Sequence, residues 1–225
     1  MKYNSNLFPF TTCEKPRHND IIKQPVSAFV NIICCFILFA YLFMAKSLHF
    51  RLLIFSFLVF QSWHAFSHIH HFDGIIQTNV IHILTYCMTG ALLYCIMCMK
   101  KIQSNFFFIG LLFVIIIDLY VWTSVQGVYM TFSGLAVLIY VVLGSWRMFP
   151  TFVQKGLLWI MAGFLILLAL IWNEKQNCEK MLKAFVFPYH VFIETTGLIL
   201  FCAWAHLFLN WEFTCWQAKP EIRRC

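Results

Sequence analysis

Seven apolar segments, each about long enough to cross a bilayer, constrain this chain more than any other feature. A transmembrane helix needs about 20 predominantly apolar residues. Polar breaks separate the segments, and the weakest break, between the fourth and the fifth, is placed near Gly127. The predicted spans are 26–45, 52–72, 76–99, 105–124, 128–146, 156–173 and 184–210. We therefore predict an all-α integral membrane protein built as a seven-transmembrane-helix bundle.

The composition excludes a soluble globular domain. Of the 225 residues, 61% are hydrophobic and 11% are charged, whereas soluble chains carry about 25% charged residues. We divide the chain into a non-cytoplasmic N-terminal segment (1–25), the seven-helix domain (26–210) and a cytoplasmic tail (211–225). We expect no cleavable signal, because the first segment has no apolar core, and no nucleic-acid partner, because no basic face is present.

Lysine and arginine in the loops predict the orientation. The loops and tail on the side of the C-terminus carry nine of these residues, against three in the loops on the other side, or seven when the N-terminal segment is counted. Basic residues favour the cytoplasmic side, so we place the N-terminus in the lumen or outside and the C-terminus in the cytoplasm. We expect an ER or Golgi membrane in a eukaryotic cell and the cell membrane otherwise. The sequence leaves the oligomeric state open.

The stretch SWHAFSHIHHFD, which ends the second span, holds four of the nine histidines. At about 100° per residue, His64, His68 and His71 fall within a helical stripe about 60° wide. Ser67 lies beside this stripe and His70 points away. Histidines at a helix end are often interfacial, so the stripe alone leaves both an interfacial and a metal-binding interpretation open.

Polar side chains from three spans come to the same membrane side. His71 closes the second span, His82 opens the third and His190 opens the seventh, so they share a similar depth. Glu194 follows His190 by four residues and lies on the same helix face. Imidazole and carboxylate are common zinc ligands. Three of them would leave a position for water, whose pKa the ion would lower toward about 7.

The order of these residues resembles a seven-helix superfamily of alkaline ceramidases, progestin/adiponectin-type receptors and hydrolases that act on GPI anchors. Its pattern is Ser-x-x-x-His late in the second helix, Asp early in the third and His-x-x-x-His at the start of the seventh. This chain has Ser67-His-Ile-His-His71 and His190-Val-Phe-Ile-Glu194. The ceramidase branch adds a Cys-Glu pair and a motif entering the first helix. The matching residues here are Cys13, Glu14, Pro25, Ala28 and Asn31.

The resemblance implies a zinc site. His71 and His190 would be ligands, and either Glu194 or His82 would complete the set. If His82 is the ligand, Glu194 is free to act as a general base. Ser67 would bind the water or the oxyanion. The chain departs from the family at two of these positions, since His82 stands in place of its Asp and Glu194 in place of its last His.

The resemblance also implies supporting features. His64 and His68, on the same face as His71, would support the ligands from behind. A calcium site would include Glu14, but Gln24 stands where the ceramidase pattern has a second glutamate. A disulfide would join Cys13 to a cysteine of the last lumenal loop, here Cys178.

The leading hypothesis is a zinc-dependent intramembrane lipid hydrolase that cleaves an acyl bond, with a ceramide-like amide as the favoured substrate. The alternative is a non-catalytic lipid-binding or receptor-like relative whose metal site is degenerate. A third interpretation is a metal or proton transporter that uses Asp118, a charge within the fourth span, as a relay. In the first two cases Asp118 would support the histidines.

Overall fold

The computed structural model is all-helical over the residues it describes, which are 20–70, 74–100, 112, 116, 128–184 and 189–217. Within these ranges the chain has no strand. The elements are α1 (Pro25–Met44), α2 (Leu48–His70), α3 (Gly74–Lys100), α4 (Val128–Gly144), a 3-10 helix (Trp146–Met148), α5 (Thr151–Ala184) and α6 (His190–Gln217).

Five helices in the described part of the chain are long and apolar enough to cross a membrane. They are α1, α2, α6 and parts of α3 (Val80–Lys100) and α5 (Thr151–Glu174). The remaining helix, α4, has 17 residues. The predicted fourth span lies outside the described residues except for Leu112 and Ile116. A multi-pass all-α membrane protein is therefore confirmed, whereas seven spans and the orientation remain predictions.

α2 and α6 each pack against three other helices. α6 packs against α1, α2 and α5, while α3 packs between α2 and α4. Phe57 of α2 lies against Trp204 of α6, with ring centroids 5.2 Å apart, and Phe50 meets Trp211 edge-on. Large apolar side chains such as Trp159 cover the outer surface. This distribution fits a bundle surrounded by lipid, where close packing rather than water exclusion joins the helices.

The first turn of α2 is capped by a carboxylate from α6. The backbone N–H groups of Lys46 and Ser47 donate to Glu212, at 3.1 Å and 2.6 Å, and the Ser47 hydroxyl donates to the same group. Glu212 is buried. The N–H groups at a helix start have no partner within the helix, and a negative charge there is stabilised by the helix dipole. The end of α6 is thereby fixed to the α1–α2 turn.

The last turn of α2 is tied to the residues just before α1. The backbone N–H groups of Lys23 and Gln24 donate to the carbonyl groups of Ile69 and His68, each at 3.0 Å. These carbonyls belong to the final turn of the helix, which has no internal donors for them. In a membrane such groups need partners within the protein. The pairing also brings the side chain of Gln24 next to that of His68.

α5 extends well beyond the predicted sixth span. The sequence NEKQNCEKMLK, predicted as a loop, continues the helix to Ala184, with a non-helical residue at Asn177 (φ −123°, ψ 18°). The stretch contains no glycine or proline that would end a helix, and Glu, Lys and Gln favour one. The extension places Glu174 in a buried position facing the start of α6.

Two cysteines in the described ranges, Cys178 and Cys215, are disulfide-bonded. Cys178 lies on the part of α5 next to the start of α6, and Cys215 lies near the end of α6. The two cysteines are therefore at opposite ends of α6, so the disulfides alone do not establish which membrane side is lumenal. Cys13 and Cys225 are outside the described residues. The predicted Cys13–Cys178 pairing therefore remains a prediction.

The close contact between α5 and α6 yields a stability prediction. A Cβ at Gly163 would run into Leu200, whereas one at Gly197 meets nothing within 4 Å. Overpacking usually costs about 1–3 kcal/mol, so Gly163→Val should lower the unfolding temperature in detergent. Gly197→Val is the matched control on α6 and should leave it unchanged or raise it. Equal losses in the two variants would contradict this interface.

Candidate metal centre

The carboxylate of Glu194 lies at the centre of a buried cluster of histidines. Its side chain is 4% exposed. Three imidazole Nε2 atoms approach the same oxygen, Oε1, at 2.7 Å from His190, 3.1 Å from His68 and 3.5 Å from His64. The other oxygen, Oε2, accepts a hydrogen bond of 2.6 Å from the Asn31 amide. One side of the carboxylate is thus fixed to α1, and the other faces three imidazoles.

Helical spacing produces this convergence. His64 and His68 are four residues apart on α2, and His190 and Glu194 are four apart on α6, so each helix presents a pair on one face. The two faces meet where α2 packs on α6. The ring centroids of His64 and His68 are 5.0 Å apart, and those of His68 and His190 are 5.6 Å apart.

Gln24 accepts a hydrogen bond from His68. The amide oxygen Oε1 of Gln24 lies 2.7 Å from Nδ1 of His68. An amide oxygen only accepts hydrogen bonds, so Nδ1–H is the donor. The other nitrogen, Nε2, lies 3.1 Å from Oε1 of Glu194. Since a carboxylate also only accepts, this second contact requires either a proton on Nε2 or a cation in its place. Outer hydrogen bonds like the one to Gln24 orient the histidine ligands of metal sites.

Glu174 accepts a hydrogen bond from the corresponding nitrogen of His190. Its two carboxylate oxygens lie 3.1 Å and 2.9 Å from Nδ1 of His190. A carboxylate accepts, so Nδ1–H donates and the lone pair of neutral His190 is on Nε2. Among the described residues that buried Nε2 has no partner with hydrogen-bond geometry, although Oε1 of Glu194 is only 2.7 Å away. The short contact therefore requires a second proton on the ring or a cation next to the two atoms.

Electron-rich atoms that converge in this way need a positive charge between them. Imidazole lone pairs repel a carboxylate oxygen unless a proton or a cation lies on the contact. Ligand atoms of His64, His68 and Glu194 all lie within 4.8 Å of one another. In a tetrahedral zinc site with bonds of about 2.0–2.1 Å, neighbouring ligand atoms are about 3.3 Å apart. The observed 3.1 Å and 3.5 Å fit this spacing.

The structure brings together some of the sequence-predicted site residues. Glu194 and His190 are in contact, as described above. Ser67 is buried beside the cluster, and its hydroxyl donates to the carbonyl of His64 at 2.7 Å. His82 is buried on α3, edge-on to Tyr86. Four other predicted site residues lie outside the described residues: Cys13, Glu14, His71 and Asp118.

Several contacts in the cluster were not predicted from the sequence. His64 and His68 were expected behind the ligands, yet both contact Glu194 directly. Glu174 was not predicted at all, because its segment was assigned to a loop. Gln24 and Asn31 were noticed only through the motif entering the first helix. The signal in the sequence is an amide side chain at the start of an apolar segment or within it, since a polar group buried there requires a partner.

Comparisons of this chain with protein-family models, curated proteins and solved structures give no match. The family resemblance therefore remains a prediction, and the function has to be argued from the site.

The contact between Asn31 and Glu194 can be tested by charge. Asn31→Asp replaces an amide donor with a second carboxylate at 2.6 Å from the first. Leaving a buried charge without its partner costs about 3–5 kcal/mol, so the unfolding temperature of chelator-treated protein should fall sharply. Asn210→Asp, at an exposed position of α6, is the control and should change it little. Equal stability of the two variants would show that Asn31 does not hold Glu194.

The predicted disulfide can be tested by peptide mapping. We expect non-reducing digestion of the full chain to yield a peptide containing Cys178 joined to one containing Cys13, and reduction to separate them. Cys178 is disulfide-bonded, whereas six other cysteines of the described ranges are free and serve as internal controls. A link from Cys178 to any cysteine other than Cys13 would disprove the pairing.

Proposed function

We propose that this protein is a zinc-dependent hydrolase that works inside the membrane and cleaves an acyl bond of a lipid. The amide of a ceramide-like molecule is the favoured substrate. The observation that supports the proposal is the convergence of three imidazole Nε2 atoms on Oε1 of Glu194 inside a helical bundle. Ionisable side chains are costly within a membrane and mark functional sites.

The residues divide into ligands and groups that orient them. His64, His68 and Glu194 would hold the ion, since their donor atoms have the required types and spacing. Gln24 fixes the ring of His68, and Asn31 holds Oε2 of Glu194 so that Oε1 faces the histidines. A zinc ion bound here would supply a Lewis acid that polarises a carbonyl group and activates water.

The surroundings of the cluster suit an acyl chain. Phe60 lies one turn deeper than His64 on α2, with ring centroids 6.5 Å apart. Its ring stacks on that of Phe201 at 5.2 Å, and Phe57 meets the same ring edge-on. This aromatic group would support the hydrocarbon next to the scissile bond while the polar headgroup remains near the membrane surface. Such an arrangement explains why a hydrolase could consist almost entirely of membrane helices.

The finer features of the topology belong to this proposal. We place the metal cluster near the lumenal or outer face, with seven spans and a cytoplasmic C-terminus. The support is the distribution of lysine and arginine among the loops. The membrane would be that of the ER or Golgi in a eukaryotic cell and the cell membrane otherwise.

Metal analysis of the purified full chain tests the site. We expect about one equivalent of zinc, lost on treatment with a chelator. His68→Ala and Glu194→Gln should each lower the zinc content at least tenfold, because each removes a ligand. His70→Ala is the matched control, since His70 is exposed and lies against Phe66. Wild-type protein without zinc, or zinc retained in both ligand variants, would disprove the metal site.

A lipid screen tests the reaction. Hydrolysis of a ceramide adds water across the amide and releases one fatty acid and one long-chain amine. We expect these products from wild-type protein in detergent or vesicles, at least a hundredfold less from Glu194→Gln, and none after chelation. Phospholipids and diacylglycerols serve as comparison substrates. Zinc binding without hydrolysis of any of these lipids would favour the non-catalytic, lipid-binding alternative.

A further inference from the structure

Glu174 is a second buried carboxylate in the cluster, and the zinc-ligand set proposed above does not use it. It lies on the part of α5 that continues past the predicted span, and it is 2% exposed. Both of its oxygens are within 3.1 Å of Nδ1 of His190. His190 therefore bridges two carboxylates, one on each nitrogen.

The direction of the His190 ring adds a geometric requirement. With Nδ1–H donated to Glu174, Nε2 of His190 is directed to the side of Glu194, as Nε2 of His68 is. Without Glu174, His190 could rotate or adopt the other tautomer, and Nε2 would no longer be an acceptor on that side. The same ring that Glu174 fixes thus adds a fourth donor atom next to the three-residue group.

We infer that Glu174 is a positioning residue of a divalent-cation site. It accepts the Nδ1–H hydrogen bond of His190 and so fixes this ring as a donor beside His64, His68 and Glu194. This inference rests on the metal site of the proposed function but not on hydrolysis. It predicts that cation affinity depends on a residue that does not touch the cation.

The test is metal binding to the full chain in detergent, without lipid substrate. Zinc and cobalt are titrated into chelator-treated protein, and the visible spectrum of bound cobalt reports the ligand geometry. Outer-sphere partners of ligating histidines are typically worth about 10–100-fold in metal affinity. Glu174→Ala should lower the affinity by about this factor and alter the cobalt spectrum. Glu174→Gln retains an acceptor oxygen for Nδ1–H of His190, so it should bind the metal more tightly than Glu174→Ala.

Asn173→Ala is the matched control for a merely structural role. Asn173 precedes Glu174 on α5, and its amide donates to the hydroxyl of Tyr189, the residue before His190, at 3.3 Å. It thus joins the same two segments without touching the histidine cluster. We expect this variant to retain wild-type affinity and spectrum. Unfolding temperatures of the metal-free proteins show that all variants are folded.

The outcomes separate the possible failures. Wild-type affinity in Glu174→Ala overturns the inference, and so does an equal loss in Asn173→Ala. An affinity of Glu174→Gln no higher than that of Glu174→Ala overturns the role of the acceptor oxygen. If Glu174→Ala binds weakly as expected but wild-type protein hydrolyses no lipid, the inference stands and the proposed function fails. If hydrolysis occurs and Glu174→Ala binds zinc normally, the reverse holds.

Discussion

The burial of the Glu194 carboxylate is the constraint on which the rest of the structure depends. A charge in the interior of a membrane bundle is tolerated only with partners, and here the partners come from four different segments. Asn31 reaches it from α1, His64 and His68 from α2, and His190 from its own helix. Glu174 of α5 joins through His190. The network that forms the site therefore also determines how the helices are placed.

A second buried carboxylate, that of Glu212, connects α6 to the start of α2 at the other membrane side. Glu212 follows Glu194 by 18 residues on the same helix, a rise of about 27 Å, close to the thickness of the hydrocarbon core. Glu194 meets the last turns of α2, and Glu212 caps its first turn. α6 thus holds α2 at both ends by charge and between them by aromatic packing. The rotation of α2 that brings His64 and His68 to Glu194 follows from these two fixed ends.

The sequence was sufficient for the helical class and for much of the polar face of α2, but not for the contacts. Runs of apolar residues identify membrane helices because the bilayer core demands a defined length. Helical periodicity likewise placed His64 and His68 on one stripe. Periodicity cannot tell how far α2 is rotated toward α6, because that rotation depends on packing between helices. The sequence therefore predicted that His68 supports the metal ligands from behind, although its Nε2 lies 3.1 Å from Glu194.

Glu174 was missed for another reason. Polar residues after an apolar run indicate a loop, yet this stretch contains no helix breaker, and α5 continues.

The three imidazoles around Oε1 of Glu194 are not equivalent, and the difference bears on how the proposed lipid substrate would approach. His68 and His190 are 4% and 7% exposed, and each is held at Nδ1 by an acceptor, Gln24 or Glu174. His64 is 27% exposed and lies farthest from the carboxylate, at 3.5 Å. A catalytic zinc site keeps one position open for water or substrate, and within the described cluster the accessible side is that of His64. Phe60 borders this side one turn deeper. In the proposed hydrolase, a lipid would reach the ion along α2, with its acyl chain on Phe60 and its scissile bond beside His64. The rings of His68 and His190 remain fixed, because moving either would break a buried hydrogen bond to its acceptor.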